Sequence, residues 1–229
     1  MVIEAYYGPL RRQMLRDIQA DVKALAATTG RGDLDERVME VMAKVHRHHF
    51  VPLEVQAFAY ANTPLPIGCG KTISQPFIVA LMTDLLDLNP DDRVLEIGTG
   101  FGYQAAVLAE LAAAVYTVEI LPALQTRARQ TLSELGYTNV HFRLGNGALG
   151  WPQEAPFDKI ILTAAPELIP PALIEQIKVG GRLVLPAGPP DAQQLMMVER
   201  DAAGKLTSRT ILPVRFSALE SEGPVEGRA

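Results

Sequence analysis

Apolar residues recur at helical spacing near the start of the chain. In PLRRQMLRDIQADVKALAA they fall at Leu10, Met14, Ile18, Val22 and Leu25, along one helix face. GRGD interrupts the pattern. Asp33, with Glu36 three residues on in a capping-box position, predicts a second helix over LDERVMEVMAKVHRHHF. A proline-rich loop then runs to residue 72. Ser74 precedes QPFIVALMTDLLDL, which predicts a capped helix with Pro76 in its first turn and a strong apolar face.

From residue 93 the pattern changes to short apolar runs alternating with helical ones. RVLEI, VYTVEI, VHFRL, KIILTA and RLVLP read as strands. The helices between them are YQAAVLAELAAA, a segment from near Pro122 to Gly136, and PPALIEQI, closed by GG. This alternation predicts an α/β fold with a parallel sheet covered on both faces. QQLMMVER and TSRTILPVRF, joined by DAAGKL, read as a hairpin added at one sheet edge. ALESEGPVEGRA reads as a loose tail.

Composition narrows the function classes without choosing one. Of 229 residues, 48% are hydrophobic and 21% charged, ordinary for a globular protein, and the formal net charge of −5 argues against a polyanionic partner. No segment approaches 18 uninterrupted apolar residues, so no membrane span is expected. The N-terminus lacks a basic region followed by an apolar stretch, so no signal peptide is expected. Cys69 is the single cysteine, which excludes an intrachain disulfide and makes a reducing cytoplasm the default.

Two glycine-bearing stretches invite nucleotide chemistry. LPIGCGKT ends like a phosphate-binding loop, but the first glycine of that motif would fall at Leu65, and no buried strand feeds it. VLEIGTGFG is the stronger signal. A buried strand ends at Glu96, and Gly98, Gly100 and Gly102 form the turn into a helix. A dinucleotide loop would need glycine where Tyr103 stands. The second strand ends at Glu119, about twenty residues past Gly98, where a carboxylate can accept ribose hydroxyls. The third ends in GNG, where Asn146 can meet an adenine edge. Three strand ends thus serve an adenosine, and no basic residue serves a phosphate. S-adenosylmethionine fits this set best.

PLPIGCGKTISQPFIVALMTDLL, RVLEIGTGFGYQAAVLAEL, GWPQEAPFDKIILTAAPELIPPALIEQI and GGRLVLPAG together resemble the protein-L-isoaspartate O-methyltransferases, from about residue 9 to 216. TISQP is the more specific mark, since many methyltransferases share the glycine loop. The resemblance implies a Rossmann-like methyltransferase with a mostly parallel seven-stranded sheet, an antiparallel edge hairpin and N-terminal helices. Residues 1–75 would form the helical region and substrate-side loop, 76–216 the S-adenosylmethionine-binding core, and 217–229 the loose tail. It implies methyl transfer to the free α-carboxylate of isoaspartyl residues in damaged proteins and peptides, with no nucleic-acid or membrane partner.

Carried over by position, Ser74 matches the family's active-site serine. Thr72, Ile73 and Ser74 would border the methyl donor, and Glu96, Gly98, Thr99, Gly100, Gly102, Glu119, Ile120, Asn146 and Gly147 would hold it. The chain departs from the family's usual residues at Lys71, Phe101, Asn146 and VRFSAL. Two alternatives stay open: a carboxyl methyltransferase for a dedicated peptide or small molecule, and a non-catalytic S-adenosylmethionine-binding module. A carboxylate, with a pKa of about 4, needs no general base at neutral pH. Positioning alone can contribute up to about 7–11 kcal/mol. Lys71 is then expected to attract the substrate carboxylate.

Other candidates take plainer readings. His46, His48 and His49 lack a further ligand at suitable spacing, so they read as a solvated helix end and no metal is expected. Arg11, Arg12 and Arg16 sit among acidic residues as charged surface. Cys69 reads as an incidental loop residue, and Trp151 as a packing anchor.

Overall fold

The computed structural model describes residues 2–221. Helix α1 spans Val2–Ala24, with α2 at Ala26–Thr29. The periodic face holds at Met14, Ile18 and Val22, all buried, whereas Leu10 is exposed. The helix starts before the expected Pro9 because tertiary contact supports its first turns: the Tyr7 ring stacks on His48 at 4.0 Å.

Helix α3 covers Glu36–Lys44 and is capped by Asp35, not Asp33. Asp35 accepts from Arg37 N at 2.8 Å, while its own amide donates to Asp84 Oδ1 at 2.7 Å. That long-range bond selects which of two nearby aspartates caps. The helix stops at Lys44, and Arg47–Phe50 form a separate 3-10 turn. The expected proline-rich loop instead holds a second 3-10 turn, Leu53–Phe58, and a short hairpin of β1 (Leu65–Gly68) and β2 (Lys71–Ile73). Cys69 turns that hairpin at φ 52° between two glycines of positive φ. Helix α4, Pro76–Leu86, is buried along its whole length and begins at an N-cap Gln75 with no side-chain cap, so Ser74 does not cap it.

The sheet has the strands the alternation predicts, except that the fifth begins at Ile177 and takes in the GG expected to close the preceding helix, which ends at Glu175. Strands β3 (Arg93–Ile97), β4 (Ala114–Glu119), β5 (Val140–Leu144), β6 (Phe157–Leu162) and β7 (Ile177–Ala187) pair in parallel, and β8 (Gln194–Arg200) and β9 (Leu206–Pro213) extend it antiparallel. The spatial order is β5-β4-β3-β6-β7-β8-β9. Helices α5 (Tyr103–Ala109), α6 (Pro122–Glu134) and α7 (Pro171–Glu175) connect the parallel strands. Successive residues of β3 feed opposite cores: Val94 packs with α4 and α5, Leu95 and Ile97 with Trp151 and Leu173. Trp151 is the expected anchor, meeting Tyr116 edge-on at 5.6 Å. Strand order reverses between β3 and β6, which opens a crevice at their carboxyl ends.

The tail is corrected at its start. Ser217–Leu219 bridge to the segment after β6, with Ala165 N donating to Ser217 O and Leu219 N to Ala165 O, both at 2.8 Å. Residues 222–229 of the expected tail lie outside the described residues. Among the described residues, no helix is long and apolar enough to cross a membrane.

Candidate active site

The glycine turn after β3 is shaped by contacts that exclude side chains. At Gly98 φ is +98°, and a Cβ would lie 2.4 Å from Thr163 Oγ1. That hydroxyl donates to the Gly98 carbonyl at 2.6 Å. At Gly102, also of positive φ, a Cβ would press to 2.9 Å on Leu132, so this glycine serves the packing of α5 on α6.

Glu119 at the end of β4 is buried and holds the turn from the other side. Its Oε2 accepts from Gly100 N at 2.9 Å, and its Oε1 from Ile120 N at 2.9 Å and Leu121 N at 3.0 Å. A carboxylate has about four acceptor sites, so roughly one is left, on Oε2, for a ligand hydroxyl. The carboxylate is first of all a brace of its own loop and of the glycine turn.

Glu96 lies beneath the turn, fully buried. Burial pushes its carboxyl up to about 8; the Thr117 hydrogen bond opposes this and the Glu119 charge adds to it. Thr117 Oγ1 donates to Glu96 Oε2 and stands 2.6 Å from Thr99 Oγ1. Glu96 Oε1 has no hydrogen-bond partner among the described residues.

Two cavities meet at this crevice. The first is lined by Gly98, Gly100, Glu119, Ile120, Leu124 and Gly147, and is closed by Lys71, Thr72 and the segment Ser217–Glu220. The second, a cleft, runs between Asp21, Thr72, Ser74, Phe77 and the strand-end residues Leu212–Ser217. Thr72, Thr163 and Ser217 line both. A smaller recess joins Ile73, Ser74, Thr99 and Phe101 to the glycine turn.

The sequence-predicted residues are therefore not all in one place. Thr72, Gly98, Gly100, Glu119, Ile120 and Gly147 line the first cavity, while Ser74 and Ile73 stand next to it. Glu96 and Gly102 support it from behind. Asn146 does not line it; its Oδ1 accepts from Ala148 N at 2.8 Å and caps a 3-10 turn. Lys71 also differs from expectation. It lines the first cavity and pairs with Glu220, so its charge is already matched. Among the described residues, Arg215 is the lysine or arginine that lines the second cleft.

Sequence reasoning missed Thr163 and the wall Ser217–Glu220. Thr163 is the last polar residue of the predicted strand KIILTA, one before its end, so the strand-end rule that picked Glu119 points to it. The wall has no local signal, because it is made by a bridge to distant Ala165.

The donor set fits an adenosine carrying a sulfonium better than a nucleotide phosphate. Among the described residues, Lys71 is the only lysine or arginine lining the first cavity, and Glu220 neutralises it. Ile120 and Leu124 give an apolar wall, Gly147 a floor where a Cβ would clash with Ile97, and Glu96 an unsatisfied acceptor below.

Comparison with known proteins agrees with this geometry. The family model described as Protein-L-isoaspartate(D-aspartate) O-methyltransferase matches residues 23–223. A Polaromonas protein, Protein-L-isoaspartate O-methyltransferase 1, is 57% identical over 221 residues, covering 96% of this chain and 94% of that one. A Gloeobacter violaceus protein-L-isoaspartate O-methyltransferase is 53% identical over 196 residues, covering 86% and 96%. Among solved structures, a protein-L-isoaspartate O-methyltransferase superposes with TM-score 0.78 at 25% identity, covering 93% of this chain and 67% of that one. A Plasmodium falciparum structure described as such an enzyme with S-adenosyl-L-homocysteine superposes at 0.75 with 21% identity, covering 90% and 98%, and shares the fold.

Proposed function

The chain belongs to the protein-L-isoaspartate(D-aspartate) O-methyltransferase family, and from that premise we propose a division of labour between its two cavities. It is an S-adenosylmethionine-dependent methyltransferase that esterifies isoaspartyl residues in protein repair. In this reading the first cavity takes the methyl donor and the cleft takes the isoaspartyl segment. The observation that carries it is their shared border: Thr72, Thr163 and Ser217 face both, so a group held in one abuts a group held in the other.

S-adenosylmethionine supplies the activated methyl group; the protein's task is placement. Gly98, Gly100, Glu119, Ile120 and Gly147 hold the adenosine side, with Thr72 and Ile73 at the border. Ser74 is the residue assigned to orient the substrate carboxylate, since its hydroxyl needs only to donate to an anion that is already ionised. Its backbone is fixed for this role, because Arg47 Nη2 donates to Ser74 O at 2.7 Å. Arg215 on the cleft attracts the approaching carboxylate, while Asp21 on the same cleft opposes it. The ester product is then open to attack by the next backbone nitrogen, which closes a succinimide and expels methanol without a further enzyme group.

Residues 1–75 serve mainly the substrate side and 76–216 the donor, with residues 217–220 reassigned to the donor wall. We further place the enzyme in the cytoplasm, in keeping with a chain whose single cysteine forms no intrachain disulfide.

The test uses labelled S-adenosylmethionine and one peptide in isoaspartyl and aspartyl forms. Base-labile label is expected in the isoaspartyl form alone, and Ser74→Ala should lower kcat/KM while leaving donor binding intact. Label in neither form, with donor binding preserved, would overturn the substrate assignment.

A further inference from the structure

The turn after α3 places three imidazoles together, away from both cavities. His46, His48 and His49 each offer a ring nitrogen, and these atoms lie within 4.8 Å of one another. The rings of His48 and His49 are 4.3 Å apart, and that of His46 lies 5.5 and 5.9 Å from them. In an extended helix the intervening geometry would not gather all three; the 3-10 turn Arg47–Phe50 does so.

We propose that His46, His48 and His49 form a binding site for one divalent transition cation of the zinc class. The central ligand is held from outside. His48 is buried, stacks on Tyr7 at 4.0 Å with rings 11° apart, and has Nδ1 2.8 Å from the Tyr60 hydroxyl. The tautomer that donates Nδ1–H to Tyr60 carries its lone pair on Nε2, the arrangement that metal-bound histidines usually receive from an outer partner.

The outer ligands can complete the geometry. Tetrahedral zinc with bonds of about 2.0–2.1 Å needs its nitrogens about 3.4 Å apart, so contraction of roughly 1.4 Å at most is required. His46 and His49 are both less buried than His48, which leaves their rings room to turn. Imidazole donors select zinc, nickel or copper over magnesium or calcium. Glu110 lines the same surface cavity as His46 and His49, but its charge is shared with Lys44 at 2.6 Å, so the fourth position is assigned to water.

The site has a structural link to the rest of the protein. Arg47 lies inside the same turn and faces the other way, donating to Ala59 O at 2.9 Å and to Ser74 O. A cation on the histidines would tie down the segment from which that brace projects. Its effect is on rigidity, not on chemistry, because among the described residues the cavity holding His46 and His49 shares none with the donor cavity or the substrate cleft.

The experiment is calorimetric titration of untagged, chelator-stripped protein with Zn²⁺, with Mg²⁺ as the control, alongside thermal melting. One Zn²⁺ per chain is expected, with Tm rising by roughly 5–10 °C at a hundredfold excess over Kd. His46→Ala and His49→Ala should each weaken binding at least about tenfold. Both avoid the buried His48, whose loss would disturb packing, and both should keep metal-free methyl transfer at the wild-type rate. Absence of saturable Zn²⁺ binding would overturn the proposal. So would binding that survives in the double His46→Ala, His49→Ala variant, which would locate the metal elsewhere.

Discussion

Glu96→Gln tests the electrostatics of the site without touching its shape. The wild-type carboxyl is raised to about 8 by burial, so at neutral pH it is mostly protonated in the folded chain, whereas the unfolded chain ionises near the ordinary value of 4.5. Between those values the folded state binds one more proton than the unfolded state. Stability therefore falls as pH rises through that window, by about 1.4 kcal/mol per pH unit, and levels off above the folded pKa. From pH 5.5 to 7.5 the single group costs about 2–3 kcal/mol. Glutamine is neutral throughout; its carbonyl can accept from Thr117, and its amide occupies the place of the unsatisfied Oε1. Guanidinium unfolding of both chains without ligand, at pH 5.5 and 7.5, gives the comparison. The variant should gain on the wild type by roughly that amount at the higher pH. If the two stabilities move in parallel, within about 0.5 kcal/mol, Glu96 is not a neutral buried acid.

Other perturbations probe the framework. Gly98→Ala forces a Cβ to within 2.4 Å of Thr163 at φ +98° and should cost about 2–4 kcal/mol in denaturant unfolding, with donor binding lost. Arg47→Met removes a buried cation that serves the carbonyls of Ala59 and Ser74; a loss of about 2–5 kcal/mol is expected, with kcat falling more than donor affinity, and a wild-type kcat would refute the positioning role. The Lys71–Glu220 pair is partly exposed, so Lys71→Ala should raise the donor Kd only up to about fivefold. Charge reversal at both positions should recover that loss, as a double-mutant cycle would register.

The parts of the fold that could be read from sequence are those fixed locally. RVLEI, VYTVEI and KIILTA are buried on both faces, so their apolar runs need no knowledge of partners, and the helices between them set the parallel order. Glu119 and the glycine turn were legible because a strand end constrains the turn that leaves it. The helix caps were not. Asp33 and Asp35 look alike in sequence, and the choice falls to Asp84, far along the chain. The same holds for the hairpin at residues 65–73, whose proline and tight glycine-rich turn mask a strand pattern of four residues and three. The histidines read in sequence as a solvated helix end, yet α3 stops at Lys44 and the 3-10 turn that follows buries His48 against Tyr7.

The wall formed by Ser217–Glu220 gives the donor cavity an order of assembly. The glycine turn, Glu119 and Gly147 are translated well before it, and Ala165 waits with both backbone groups open until residues 217–219 arrive. A nascent chain still on the ribosome can thus fold most of its sheet while its cavity stays open on one side. Contacts between ligand and this wall, and whatever mass-action stabilisation they add, become available only after the late segment has docked on Ala165.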